Sequence, residues 1–318
     1  MYSIISNARK VLLSNINRPV ATLPGYFLKG LMIFFFLGGH IRLSKILRPM
    51  YSFGFLTPKI SFIYLFKYLS FSIGTRSKLK ILTNHYAYLQ KRFPLHAIDQ
   101  VFKSGVVCWK EVRQSQLFEI VLASTTPFEN EGSLSLSFKM NGDTLYTRAF
   151  TFCPGDSFGL LDEQIIYVSR IQGAKGELDT ITRSAKYFND NTPPTLLIST
   201  LEGIAMSLGI KTLLGVSAHN QIGFCAATTN FQKCYDSFWK TFETTRISSG
   251  DYYLALPIRN KDISLIKSKY RGRTLNKRKV RQEISRKVYR YFVNNIVTSR
   301  KTGTLSVSFI QERARATA

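Results

Sequence analysis

Residues 170–177 read Arg-Ile-Gln-Gly-Ala-Lys-Gly-Glu, and no other stretch of the chain has residue types and spacing so suited to holding an anion. Gly173 and Gly176 let backbone N–H groups approach a phosphate closely, and Gln172 and Lys175 can add side-chain donors. A helix opening near Glu177 would contribute a partial positive charge. An acyl-CoA or an acyl-carrier pantetheine is the cofactor such a loop would serve. The spacing is not that of a Walker A loop, and the same glycines serve equally well in a tight turn with positive φ. Glu177 is a candidate general base, although the helix dipole also favours a carboxylate there for stability alone. His219, followed by Asn220, comes just after an expected core strand, where open sheets present ligand-contacting residues, and is the second candidate base. There is no HExxH pair and no CxxC among Cys108, Cys153, Cys225 and Cys234. A metal site is therefore not expected, and reduced, mostly buried thiols in a cytosolic protein are.

These residues need a scaffold, and the periodicity supplies one. Apolar Leu79, Leu82, Tyr86 and Leu89 recur at helical spacing over 75–93, and a second short helix is expected over 95–102. Strands are expected at 118–124, 133–140, 144–152 and 164–171, with Asn141-Gly142 turning the second into the third. Helices follow at 177–188 and, after Pro193-Pro194, at 195–208. A buried strand at 211–217, a helix over 235–242 and a last strand at 252–256 complete the order. Tyr235, Phe238, Trp239 and Phe242 form a core-facing stripe. Before residue 60, Pro19, Pro24, Pro49 and Pro58 predict short, broken helices. The class is α+β: a mixed, largely antiparallel sheet with helices on its faces and a basic helical N-terminal region. We divide the chain into a membrane-proximal region (1–98), a core domain (99–258) and a basic C-terminal arm and tail (259–318).

Charge is distributed by region. The first 98 residues carry 14 Lys and Arg and no acid, and residues 259–290 carry 13 against Asp262 and Glu283; between them, 13 basic and 16 acidic residues nearly cancel. A neutral body between cationic arms suits a polyanionic partner. An uncharged run at 30–41 is too short to span a bilayer in helical form and makes a poor signal peptide. With Arg42, Lys45 and Arg48 behind it, it reads as an interfacial segment on an anionic membrane surface. A buried core helix and a tilted span are the alternatives. Nucleic acid stays open as a partner, without a zinc finger, RNP or helix-turn-helix pattern to favour it.

Residues 170–173, 213–217, 235–239, 256–257 and 267–273 carry a family likeness: the chain resembles the VirK/YbjX family of Gram-negative bacteria from about Tyr51 onward. The resemblance implies virulence, surface-protein localisation, envelope stress and antimicrobial-peptide resistance, with envelope or surface-protein biogenesis factors as partners, and it supplies no catalytic residues. The element order is also similar to N-acetyltransferase-like (GNAT-like) folds, in which amides after the fourth strand bind the cofactor pyrophosphate. Three functions are thus expected in order: a cytoplasmic protein peripheral to the inner membrane that supports the envelope; a GNAT-like acyltransferase acting on an envelope component; and an RNA-binding regulator.

Overall fold

A computed structural model of the chain describes residues 33–125, 129–224 and 234–297. Helix α1 (Leu37–Ser52) is followed by a 3-10 segment (Pro58–Leu65), then α2 (Thr75–Arg92) and α3 (Leu95–Lys103). The strands are β1 (Val106–Arg113), β2 (Gln116–Ser124), β3 (Leu134–Met140), β4 (Asp143–Cys153) and β5 (Ile165–Gly173). Helices α4 (Leu178–Lys186) and α5 (Pro193–Ser207) lead to β6 (Thr212–Gly215). Next come α6 (Asp236–Trp239), β7 (Thr245–Arg246), β8 (Tyr252–Ala255) and α7 (Ser268–Asn295). Among the described residues these strands form one eight-stranded sheet in the order β1-β2-β3-β4-β5-β6-β8-β7. The α+β class is as the sequence implies.

Every neighbouring pair is antiparallel except β5 and β6, which run parallel. Period-two alternation gives β2 and β3 an apolar face, with Phe118, Ile120, Leu134, Leu136 and Phe138 buried. Consecutive residues of β5 from Ile165 to Val168 are buried, so the middle of the sheet is covered on both faces. Polar residues take alternate positions on the other face of β3 and the start of β4, as where Ser137 pairs with Thr147. Asn141 and Gly142 have φ of 52° and 93°, the positive values that a two-residue hairpin turn requires.

Several elements depart from the sequence expectations. Strand β1 was not expected; its turn to β2 uses Gln114 and Ser115, both at positive φ, rather than the glycine or asparagine that signals a hairpin. Helix α1 contains Pro49 yet runs 16 residues; the proline forfeits the one bond its N–H would make to Lys45 O, and the helix ends within the following turn. Pro193 and Pro194 open α5 instead of preceding it, at positions whose N–H groups have no helical partner anyway. The helix expected over 235–242 is only α6, since Trp239 is tied down by contacts described below.

Helices α5 and α7 pack together closely. A Cβ on Gly203 would stand 2.4 Å from the Ser285 carbonyl oxygen, so only glycine permits the crossing. In α7, Val280, Ile284, Val288 and Phe292 recur every fourth residue and are buried, while the first turns stay in solvent. Cys108, Cys153 and Cys234 are free thiols, and Cys225 lies outside the described residues.

His85 on α2 is fully buried against Phe152, and its Nδ1 accepts the Phe152 backbone N–H at 3.2 Å. An accepting nitrogen must be unprotonated, and burial pushes the ring down to about 3 from its ordinary 6.5. The unfolded chain therefore takes up this proton first as pH falls. His85 contributes its full stability above pH 6.5 and loses it between there and about 3. We expect this residue alone to cost about 1.4 kcal/mol per pH unit below 6.5. Denaturant unfolding from pH 7 to 4.5 should show a slope about one proton shallower in His85→Asn, whose amide oxygen can still accept the Phe152 N–H. An unchanged slope would place the acid sensitivity elsewhere.

Candidate functional site

The parallel pair brings two loops to one end of the sheet. Ile166, Tyr167 and Val168 pair with Leu213, Leu214 and Gly215, and the Val216 N–H reaches Val168 O at 2.9 Å. Beyond this point β6 has ended, while β5 continues to Gly173 beside β4. Ser169 is an extra residue in the β4–β5 ladder, a bulge that bends β5 where the strands part.

Side chains from α6 and the residue before it line this parting. The Tyr235 hydroxyl accepts the Ile171 N–H at 3.3 Å, and Trp239 Nε1 donates to Val216 O at 3.1 Å. Gly215 is glycine because of Trp239: an added Cβ would meet the indole at 2.0 Å. On the other flank, buried Asp251 accepts from Ser217 N (3.0 Å), Asn220 Nδ2 (2.9 Å) and the Tyr167 hydroxyl (3.1 Å). Four donors, including Ser249 at 3.2 Å, satisfy this carboxylate and fix the turn after β6. Glu131 pairs with Arg170 and accepts from Gln221 Nε2 at 3.0 Å, fastening the β2–β3 connection to the same end.

The expected site residues lie around this end, with different surroundings. Gln172 and Gly173 belong to β5, opposite Thr147 and Tyr146. Gly173 serves close packing rather than positive φ, since its Cβ would come 2.9 Å from Ile181 and 3.3 Å from Tyr146. Gly176 does have positive φ, 84°, with open space around it. The Ala174 N–H is used by Leu145 O on β4, and the Glu177 N–H by Ala174 O within the turn. Lys175 is exposed, and Asp179 in the first turn of α4 opposes an anion there. Glu177 is half-buried and makes no capping bond. His219 is exposed, with its ring edge-on to Phe224 at 5.4 Å, whereas the neighbouring Asn220 is committed to Asp251.

A residue that sequence reasoning passed over is Arg148. It stands on β4 opposite Ile171 and is wholly buried. Its Nη2 donates to Pro194 O at 3.1 Å, and its guanidinium lies over Phe238 (4.7 Å) and Trp239 (5.6 Å). Its Nε and Nη1 have no partner among the described residues. Burial lowers its pKa to about 10. A cation with two free donors and no carboxylate beside it is costly to bury, and can hold an anionic group at the parting of the strands. The signal was present in the sequence: Arg148 alternates in register with Phe150 and Phe152, facing inward.

Arg148→Met removes the charge at similar volume. We expect the unliganded protein to become more stable by about 1–4 kcal/mol at pH 7, measured by urea unfolding. Destabilisation would show that the Pro194 bond and the aromatic stacking outweigh desolvation, making this arginine purely structural.

Among the described residues no group of three or more His, Cys, Asp or Glu could hold a metal ion, and no helix is long and apolar enough to cross a membrane. Among known proteins, no curated protein and no solved structure matches this chain. A family model described as "Protein of unknown function (DUF535)" matches residues 56–288. The chain therefore belongs to the DUF535 family, the family that contains VirK/YbjX.

Proposed function

We propose that this protein is an acyltransferase that takes its acyl group from a phosphate-bearing thioester, acyl-CoA or acyl-carrier pantetheine. The observation that carries the reading is the parallel β5–β6 pair, parting after Val168 and Gly215 within an otherwise antiparallel sheet. This order is similar to that of N-acetyltransferase-like folds, and fold likeness alone does not give an activity. The local chemistry adds support. Residues 174–178 form a turn with positive φ at Gly176 that opens a nine-residue helix, and exposed Lys175 supplies a cation. Lys175, Gly176 and the first turn of α4 would hold the phosphates. The donor would supply an activated acyl carbonyl. Tyr235 would yield the Ile171 N–H to an amide of the pantetheine arm, and Arg148 places a positive charge beside that strand. His219 and Glu177, on the two converging loops, are the candidates to accept a proton from the acyl acceptor.

Titrating the protein with acyl-CoA while following thermal unfolding tests this. A donor at 100 times its Kd should stabilise by about 2.7 kcal/mol. Lys175→Glu should weaken the affinity about tenfold, cutting that stabilisation to about 1.4 kcal/mol at the same donor concentration, without moving the melting temperature of the free protein. No shift with any acyl-CoA or acyl-carrier donor would remove the enzymatic reading.

A second reading concerns location: attachment to an anionic membrane surface, on the cytoplasmic face of the inner membrane, in support of the envelope functions that the family resemblance implies. It is favoured by α1 and the residues before it. His40, Leu43, Leu47 and Met50 face the core, while Phe34 and Phe35 are 74% and 79% exposed, joined by Leu37, Ile41, Arg42, Lys45 and Arg48. Of the expected interfacial run, residues 30–32 lie outside the described residues. The 3-10 turn before α7 and the first turns of α7 repeat the mixture, with Leu265, Tyr270 and Leu275 exposed among Lys267, Lys269 and Arg271. Co-sedimentation with vesicles containing phosphatidylglycerol should be strong in low salt and fall steeply as salt rises. Replacing Phe34 and Phe35 with serine should weaken it several-fold. Binding equal to that on neutral vesicles would refute the attachment.

A further inference from the structure

A second cationic site lies between α5 and α7, away from the parting of the strands. After β8 the chain turns through cis Leu256–Pro257 and lays residues 257–260 against both helices. A cavity of about 270 Å³ opens there. Arg278, Arg281 and Arg286 reach it from α7, and Met206, Phe242 and Ile258 form an apolar wall.

The arginines are under-satisfied. Arg278 Nη2 donates to Lys261 O at 2.5 Å, and Arg281 Nη2 to Asn260 Oδ1 at 3.1 Å. The Nε of each is buried without a partner among the described residues. Burial lowers the pKa of Arg281, and the adjacent Arg278 lowers it further. Glu202 faces them from α5, but one of its oxygens accepts the Ile258 N–H at 2.7 Å and burial raises its pKa. Asp262 interacts with Arg278 from outside the cavity lining, fully exposed, with one oxygen on Ser264 N. Three guanidiniums thus share one half-buried carboxylate within the cavity. The positions are mid-helix, so side chains rather than a helix end create the positive field.

We propose that this cleft binds a phosphorylated amphiphile, with its phosphate between Arg278 and Arg281 and its apolar part against Met206, Phe242 and Ile258. Paired arginines suit phosphate because each planar fork can donate two parallel hydrogen bonds, which lysine cannot. The volume lies just below the usual range of ligand cavities, about 300–1,000 Å³, so it suits a headgroup rather than a nucleotide. The apolar wall would be wasted on free phosphate. A lipid in a bilayer and a soluble phosphate ester share this chemistry, and the experiment separates them. The inference does not rest on the acyl-donor reading, since none of residues 172–177 or His219 lines this cavity.

The test is calorimetric titration of the full chain with dioctanoyl phosphatidylglycerol below its micelle concentration, with inorganic phosphate, and with vesicles containing phosphatidylglycerol. We expect saturable one-to-one binding of the short-chain lipid, with phosphate at least tenfold weaker. Arg278→Gln/Arg281→Gln should lose at least tenfold in affinity for the short-chain lipid. Met206→Glu, at the half-exposed mouth, should do the same while leaving both arginines in place, so misfolding of the double variant would not rescue the idea. The acyl-CoA thermal shift should be unchanged in Met206→Glu. Vesicle binding is compared in the Phe34→Ser/Phe35→Ser background, which removes the α1 contact. Residual binding unchanged by adding Met206→Glu would assign the cleft to a soluble ester, and loss of that residual binding would assign it to bilayer lipid. Phosphate binding as tightly as the lipid, no saturable binding, or full affinity in both variants would overturn the proposal.

Discussion

The constraint on which the rest of the molecule depends is the one reversal of strand direction. An antiparallel neighbour can be reached by a short turn, but β6 runs parallel to β5 and so must be entered from the far end of the sheet. Residues 174–211 make that return journey, and α4 and α5 are what it is built from. The return leaves both strands pointing their carboxyl ends at the same region, with no backbone between them to pair with beyond Val168 and Gly215. Ile171 N–H and Val216 O are consequently served by side chains, Tyr235 and Trp239. The position of α5 in turn fixes α7, because the crossing at Gly203 leaves no room for adjustment.

Positive charge occupies three distinct environments in this chain. Exposed cations on α1 and outer α7 cost little to carry and act over a Debye length. Arg278 and Arg281 are half-withdrawn, trading solvent for neutral oxygens. Arg148 is wholly withdrawn, with aromatic faces and a single carbonyl for company. Selectivity for an anion should rise along this series, because a desolvated guanidinium discriminates by geometry whereas a solvated lysine responds to charge alone.

Much of the core was legible from period-two and helical patterns, because burial writes those patterns directly. The elements that escaped reading were set by something other than pattern. Strand β1 escaped because Gln114 and Ser115 adopt positive φ without the residues that prefer it, a cost that the sheet pairing of Val106 to Arg113 covers. Gly173 looked like a phosphate-loop glycine, yet contact with Ile181 and Tyr146 accounts for it. Arg148 was readable as an inward position but not as an unpaired one, since pairing depends on what α5 and α6 bring across the sheet. The same limit applies to Arg278 and Arg281: the sequence shows a run of cations, and only the packing of 257–260 selects which two leave the solvent.

The contact between Gly215 and Trp239 has an optical consequence. The chain has two tryptophans: Trp109 lies on β1 against Phe188, distant in the strand order from the parallel pair, and Trp239 sits at the parting of the strands. The indole of Trp239 is hydrogen-bonded at Nε1, close to a guanidinium and shielded from water. Its emission wavelength and its quenching by small solutes therefore sense the charge and hydration of that region. A single Trp109→Phe replacement would leave an intrinsic fluorophore seated where the two loops converge.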